Sequence, residues 1–363
     1  MTPREEEILA LIGENPMISQ EEIAKKTHMS RSSVAVHITS LKRQGYILGR
    51  RYVVRTKPYV AVVGGINIDI GGTPFSTFVP EDSNPGTVHT SFGGVGRNIA
   101  QDLALLSLPV EMLTVLGNDD NAKKIEEHCH SVGIGLNYAK RVPDLPTSTY
   151  LYVENEKGKM VAAIADMSIM ERFDVQYVKE KEEALAKAQV IVLDTNPPED
   201  ALLEILRTTK APIIADAVST TKAKKLEKGL SYLTGLKCND LEAMTLTGIE
   251  IHDVATAHQA ADRLVQLGVK NAFISLGSEG ACAADKSGSF YLPPFPGKVV
   301  NTTGCGDAFT AGIVYAFYRG MSLKEALRAG LATATFPLET ESSVNSSLSE
   351  SGMCKRAGLP LPQ

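Results

Sequence analysis

From residue 59 onward the sequence keeps returning to one unit: a short, uninterrupted apolar run ending near glycine or aspartate, then a stretch with helical spacing. The runs fall at 59–65, 110–117, 190–194, 212–216 and 272–277, and 255–267 is an example of the helical pattern between them. A continuous apolar run this short suits a strand buried on both faces. Parallel neighbours need a long crossover, usually a helix, between them. The expected fold is therefore α/β: a mostly parallel sheet with helices on both faces. Ligands of such sheets bind beyond the carboxyl ends of the strands. Two stretches break the rhythm. Residues 71–91 are polar and rich in turn formers, and 147–166 alternate like a hairpin around Asn155-Glu156-Lys157-Gly158. Together they are expected to form a small β-sheet lid over the strand ends.

The first 57 residues have a different pattern and are expected to form a separate domain, with the α/β domain spanning 58–363. Ile8, Leu9, Leu11 and Ile12 recur at helical spacing, Ser19 and Glu22 form a capping box for a second helix, and Ser30 caps a third carrying Val34, Ile38 and Leu41. Gly45 ends it, and 46–54 reads as a two-stranded ribbon bent at Gly49. This order resembles the winged helix-turn-helix domain of bacterial regulators, whose third helix enters the major groove while the wing touches phosphate. The resemblance gives Arg31, Lys42 and Arg43 on that helix, and Arg50 and Arg51 on the wing, as DNA-contacting residues. A helical module used only for dimerisation or packing fits the same pattern. Residues 1–57 hold ten Lys/Arg against six Asp/Glu, whereas the rest of the chain holds 27 against 36. A basic head on an acidic body agrees with a polyanionic partner.

The segment with most chemistry in it is Asn301-Thr302-Thr303-Gly304-Cys305-Gly306-Asp307, which opens an apolar helix. A glycine-rich turn at a helix start points free backbone N–H groups at one spot and binds anions there. An acid closing the turn could take a proton from an attacking hydroxyl. Two glycines and an aspartate also suit an ordinary helix-opening turn.

Four further segments remove much of that ambiguity. Gly65-Ile66-Asn67-Ile68-Asp69 follows the first strand, Phe92-Gly93-Gly94-Val95-Gly96-Arg97-Asn98 comes next, and Lys237-Cys238-Asn239-Asp240-Leu241-Glu242 precedes Ser275-Leu276-Gly277-Ser278-Glu279-Gly280. In this order they resemble the ribokinase-like (phosphofructokinase B type) family of carbohydrate and nucleoside kinases over roughly residues 59–350. The resemblance implies ATP and Mg²⁺ as cofactors and a sugar or nucleoside as acceptor. It implies Asp307 as catalytic base, with the N–H groups of Gly304, Cys305 and Gly306 on the transferring phosphoryl. Asn67, Asp69, Gly93, Gly94 and Asn98 would hold the acceptor. Asn239, Ser275, Gly277, Gly280 and Thr303 would hold the nucleotide, and Glu242 would reach Mg²⁺ through water. Asn301 stands where sugar kinases often have aspartate near a monovalent cation, which leaves K⁺ dependence open. Within the family, the 64–69 and 301–304 segments and the late Glu341-Ser342-Ser343-Val344-Asn345 stretch are most similar to pseudouridine kinases. Another nucleoside, ribose, or a regulator that uses the kinase fold as a ligand sensor are the alternatives.

Several classes drop out. No GxxxxGK[ST] loop is present, so the Walker type of kinase is excluded. No apolar run approaches the length of a membrane span, and the acidic start is unlike a signal peptide, so a cytoplasmic protein is expected. Five scattered cysteines without CxxC spacing suggest neither a disulfide framework nor structural zinc. A homodimer is expected, since winged-helix proteins read paired half-sites and a lid sheet offers edge strands for contact.

Overall fold

A computed structural model describes residues 1–15, 18–47 and 58–362. The chain divides into two compact units, Met1–Pro58 and Tyr59–Gln363.

The small unit holds three helices, α1 (Pro3–Glu14), α2 (Gln20–Thr27) and α3 (Arg31–Arg43). Thr2 and Ser19 each close a capping box with the glutamate three residues on, and Ser30 caps α3 through the Ser33 amide. Ile8, Ile12, Ile23, Val34, Ile38 and Leu41 face inward and make one core. What remains outside on α3 is a face with Arg31, Lys42 and Arg43 exposed, and Val36, 67% exposed, among them. The expected wing arginines, Arg50 and Arg51, lie outside the described residues.

In the large unit β1 (Tyr59–Val63) leads into β2 (Asn67–Pro74), β3 (Gly86–Gly93) and α4 (Val95–Leu105). After β4 (Val110–Leu113) and α5 (Asp120–Ser131) come the short β5 (Ile134–Gly135) and the hairpin β6 (Thr149–Glu154) and β7 (Met160–Asp166). Four strands follow with helices between them: β8 (Ala188–Asp194), β9 (Ile213–Asp216), β10 (Gly235–Asn239) and β11 (Asn271–Ser275). Helix α6 (Asp240–Thr247) follows β10; β12 (Ala281–Asp285), β13 (Gly288–Leu292), α7 (Cys305–Tyr318) and α8 (Leu323–Leu338) complete the frame.

Among the described residues the main sheet has nine strands in the order β13-β12-β11-β10-β9-β8-β1-β4-β5, and all neighbours are parallel except at β12 and β13. Strand β1 is buried along its whole length, and its side chains split by parity. Tyr59, Ala61 and Val63 enter the core on one face; Val60 and Val62 enter the core on the other. Each large side chain buried this way contributes roughly 1.5–3 kcal/mol. A second sheet, in the order β3-β2-β6-β7, forms the lid. It starts earlier than residue 71, because β2 begins at Asn67. Asn67 and Asp69 therefore stand on that sheet itself. The antiparallel strands β12 and β13 were not among the expected elements.

Candidate active site

The site begins at the turn after β1. At the end of the neighbouring strand β8, Asp194 occupies the space a Cβ at Gly64 would need. Asp194 is fully buried, and its Oδ2 accepts from the N–H groups of Gly65 at 2.8 Å and Gly96 at 2.9 Å. Burial raises its pKa, and the amides of Gly65 and Asn196 oppose that shift. One carboxylate thus ties the β1–β2 turn to the start of α4, the two segments that carry Asn67, Asp69 and Asn98.

Asn67 and Asp69 lie two apart on β2 and share a face. Asn67 Nδ2 donates to Asp69 Oδ1 at 2.5 Å. Opposite Asn67 on β3 stands Gly93, where a Cβ would overlap the Asp69 carboxylate. Gly94 has φ of +100° and lies against the Gly65 carbonyl, a conformation and an approach that only glycine allows. Burial raises the Asp69 pKa, while the Asn67 amide and the charge of Arg97 pull it down.

Asn98, on α4, donates from Nδ2 to Asp307 Oδ2 at 2.7 Å. Its Oδ1 accepts from the Arg97 guanidinium and, at 3.3 Å, from the Ser343 hydroxyl. The carbonyl end is thereby committed and the amide end must face Asp307. Arg97 is itself buried and also donates to the carbonyls of Phe92 and Gly93, which fixes the end of β3.

Asp307 is the third residue of α7, whose N-terminus has no side-chain cap. Gly304 precedes the helix at φ +84°, and the Ser343 carbonyl fills the place of a Cβ there. The N–H groups of Gly304 and Gly306 have no protein acceptor among the described residues, while that of Cys305 reaches the Thr302 carbonyl only at 3.3 Å. Free amides at a helix start make an anion cradle. Burial and the charge of Asp216 push the Asp307 pKa up to about 7, against the pull of Asn98, Lys237 and Arg97. A carboxyl that titrates near neutrality is suited to general-base work.

Behind the cradle lies a buried pair. Lys237 Nζ, on β10, is 3.2 Å from Asp216 Oδ2 at the end of β9, and Thr310 of α7 donates its hydroxyl to the same oxygen at 2.5 Å. One turn further, Asn239 and Glu242 cap α6 reciprocally: Asn239 Oδ1 accepts from the Glu242 amide and Glu242 Oε2 from the Asn239 amide, both at 2.8 Å. Burial raises the Glu242 pKa, which Lys237 opposes. Among the described residues no group of three or more His, Cys, Asp or Glu side chains is placed to hold a metal ion.

The 301–307 turn separates two cavities. One of about 680 Å³ has a mainly polar lining that includes Asp69, His89, Arg97, Gln101, Tyr152 and Ser343. The other, about 530 Å³, is mainly apolar, with Phe295, Leu331 and Leu338 beside Ser275, Gly277 and Gly280. Asn301 and Thr303 face the first cavity; Thr302, Cys305 and Gly306 face the second. Thr303, expected at the nucleotide, thus lines the same cavity as Asp69, and Thr302 lines the cavity of Ser275, Gly277 and Gly280. Asn301 is engaged inside the turn, donating to the Glu341 carbonyl at 2.9 Å and accepting from the Thr303 amide at 3.0 Å.

Residues 57–350 match the family model for pfkB family carbohydrate kinases. The chain belongs to that family. As a pfkB kinase it is an ATP-dependent phosphotransferase with an alcohol acceptor, acting on a sugar or nucleoside. Residues 1–47 match a winged helix-turn-helix DNA-binding model. An uncharacterised sugar kinase of Escherichia coli, YeiI, is 36% identical across 96% of this chain and 97% of its own length. The pseudouridine kinase of the same organism is 35% identical across 82% of this chain and 95% of its own. Among solved structures, Arabidopsis thaliana ribokinase complexed with ribose and ATP superposes with a TM-score of 0.72 at 26% identity, covering 84% of this chain and all of that one. Among the described residues no helix of this kinase is long and apolar enough to cross a membrane.

Sequence reasoning missed Arg97, Asp194, Asp216, Lys237, Thr310 and Ser343 as parts of the site. Arg97 and Lys237 sat inside quoted motifs, and Asp194 and Asp216 each close an apolar strand, which is the one local signal they carry.

Proposed function

We propose that this kinase transfers the γ-phosphoryl of ATP to the 5′-hydroxymethyl of a nucleoside, with pseudouridine as the first candidate. One observation carries the reading: a turn with free amides and a carboxyl titrating near 7 stands between a polar cavity and an apolar one. The polar cavity takes the acceptor, with Asp69 and Asn98 on its ribose hydroxyls and Asn67, Gly93 and Gly94 shaping the floor. Its volume exceeds what a pentose fills. Gln101, His89 and Tyr152 add hydrogen-bonding groups that suit a heterocycle. The apolar cavity takes the adenosine end of ATP, and Ser275, Gly277, Gly280 and Thr302 lead from it to the cradle. In the transfer, Asp307 accepts the acceptor's O–H proton. A new O–P bond forms as the bond from the γ-phosphorus to the β-bridging oxygen breaks, and ADP leaves with that electron pair. The amides of Gly304, Cys305 and Gly306 hold charge on the moving phosphoryl. The residues fit ATP, because the Gly304 and Gly306 amides at the start of α7 have no protein acceptor among the described residues and can take phosphate oxygens. Mg²⁺ would be held chiefly by phosphate and water, as is usual for this ion, with Asn239 and Glu242 in its outer shell. When bound it neutralises phosphate charge.

The likeness to the E. coli pseudouridine kinase, and the 341–344 stretch lining the polar cavity, support the nucleoside reading. The test is a panel of pseudouridine, uridine, cytidine, inosine, guanosine and ribose with Mg–ATP. The expected result is the highest kcat/KM for pseudouridine; a higher value for ribose would overturn the nucleoside assignment.

The small unit is proposed to bind DNA through Arg31, Lys42, Arg43, Arg50 and Arg51. The exposed cationic face of α3, which also offers the Val36 methyls to base edges, supports this. A cytoplasmic homodimer completes the proposal. Strand β7 is solvent-exposed from end to end and presents Met160, Val161 and Ile164, an apolar edge that a second copy would cover.

A further inference from the structure

We propose that His89 and Tyr152 form a base-reading pair: joined across the lid sheet, they hydrogen-bond the heterocycle of the acceptor and give this kinase its preference for a nucleoside over a free pentose. The proposal rests on the nucleoside reading of the polar cavity.

The sheet register builds the pair. His89 of β3 and Tyr152 of β6 both stand opposite Gly71 of β2, one on either side of it. A Cβ on Gly71 would lie 2.5 Å from the His89 ring and 2.6 Å from the Tyr152 ring, so the two side chains meet over bare backbone. There His89 Nε2 and the Tyr152 hydroxyl are hydrogen-bonded at 2.9 Å. Their ring centroids are 5.9 Å apart in an edge arrangement, and the Tyr150 ring stands 5.8 Å from that of Tyr152. A Cβ on the next residue, Gly72, would meet nothing within 4 Å. What Gly71 supplies is room, and the hydrogen-bonded rings take it.

Place and chemistry both point to a base. Gly93, opposite Asn67, leads directly into α4 and Asn98, so the rows of Asn67, Asp69 and Gly71 run outward from Asp307. The Gly71 row lies on the same face as Asp69 and about 7 Å further along the strand. A nucleoside with its 5′ end at Asp307 and its ribose hydroxyls at Asp69 carries its base to that outermost row. Free ribose ends before it. His89, Tyr152 and Asp69 line the same cavity. Burial and the charges of Glu154 and Asp69 raise the Tyr152 pKa, so the phenol keeps its proton. Pairing with an imidazole lets that phenol serve in two ways. When Tyr152 donates to Nε2, its oxygen accepts from a ring N–H. When the other imidazole tautomer donates to Tyr152, its hydroxyl is free to donate to a ring carbonyl or nitrogen. The pair therefore separates a base from no base, and leaves the choice among bases to the rest of the cavity.

The test uses the full chain with Mg–ATP, and pseudouridine, uridine, cytidine, inosine, guanosine and ribose as acceptors. Steady-state constants are measured for the parent, for Tyr152→Phe, which removes one oxygen and keeps the ring, and for Gly71→Ala, which parts the rings without touching a polar group. Each variant is expected to raise the KM of the parent's best nucleoside by about tenfold, the scale of one hydrogen bond, with kcat within threefold. The ratio of kcat/KM for that nucleoside to kcat/KM for ribose should fall by the same factor. Mg–ADP affinity, measured by calorimetry, should stay within threefold, which shows that the fold and the nucleotide site are intact. Should Gly71→Ala fail to fold, Tyr152→Phe decides alone. A nucleoside-to-ribose ratio that stays within threefold in Tyr152→Phe, or a loss shared equally by ribose, would overturn the pair while a nucleoside-preferring parent keeps the acceptor reading. A parent that favours ribose over every nucleoside would overturn that reading, and the pair with it.

Discussion

Replacing Asp307 by asparagine should make the kinase unit more stable as it disables it. In the folded chain the Asp307 carboxyl titrates at about 7, against an ordinary value of 3.8. The unfolded chain therefore releases this proton above about pH 4, whereas the folded chain keeps it to about pH 7. A folded pKa above the unfolded one means that a carboxyl costs stability as pH rises through this window. At about 1.4 kcal/mol per pH unit the penalty reaches about 4 kcal/mol above neutrality. Asparagine keeps the shape and can still accept from Asn98 Nδ2, as the carboxylate does at 2.7 Å. It cannot ionise. Urea unfolding of the full chain, followed by circular dichroism, should show parent and variant alike at pH 4. At pH 8 the variant should be more stable by about 2–4 kcal/mol. In the parent, kcat/KM should drop about tenfold for each pH unit below 7, since that quantity reports the base in the free enzyme. A gain of equal size at both pH values, or none at pH 8, would refute the claim that this carboxyl is held neutral by its surroundings.

Other expectations follow from the same geometry. Asp69→Ala should raise the acceptor KM by at least tenfold with a smaller change in kcat, since Asp69 lines the polar cavity proposed for the acceptor and not the apolar one; an unchanged KM would remove it from that role. Gly304→Ala places a Cβ on the Ser343 carbonyl in a left-handed backbone, and should lower both Mg–ATP affinity and the unfolding midpoint. Wild-type values for both would refute the cradle geometry. The full chain should bind genomic fragments flanking its own gene in a gel shift, and Lys42→Ala/Arg43→Ala should reduce the slope of log affinity against log salt by about 2. A slope unchanged by the double substitution would turn the α3 face into a packing surface.

How much of this was legible in the sequence depended on what each signal required. Strands β1 and β8 could be read because both faces are buried, which turns the whole run apolar. Strands β12 and β13 could not. β12 is mostly alanine, and β13 is only part-buried, so neither shows a sustained period of two. The start of β2 is hidden for a related reason: Gly71 and Gly72 interrupt its alternation, so no sustained period of two marks the strand ahead of the polar stretch that follows. The cradle was legible because its chemistry is local, four glycine-spaced residues ending in an acid. Its supports are not local. Ser343 meets Asn98 across 245 residues, and Thr310 meets Asp216 across 94. No spacing rule connects such pairs until the parallel sheet and α7 bring them together. Lys237 illustrates the limit: the motif around it was recognised, but its place against Gly306 belongs to tertiary structure.

The central claim, that this chain phosphorylates a nucleoside with Asp307 as base, is tested most directly by following ³²P from γ-labelled ATP into pseudouridine with the parent and with Asp307→Asn. The parent should convert pseudouridine to its 5′-phosphate, and the variant should do so at least about 10³-fold more slowly while binding Mg–ATP within threefold of the parent. Transfer by the variant within tenfold of the parent rate would contradict the account.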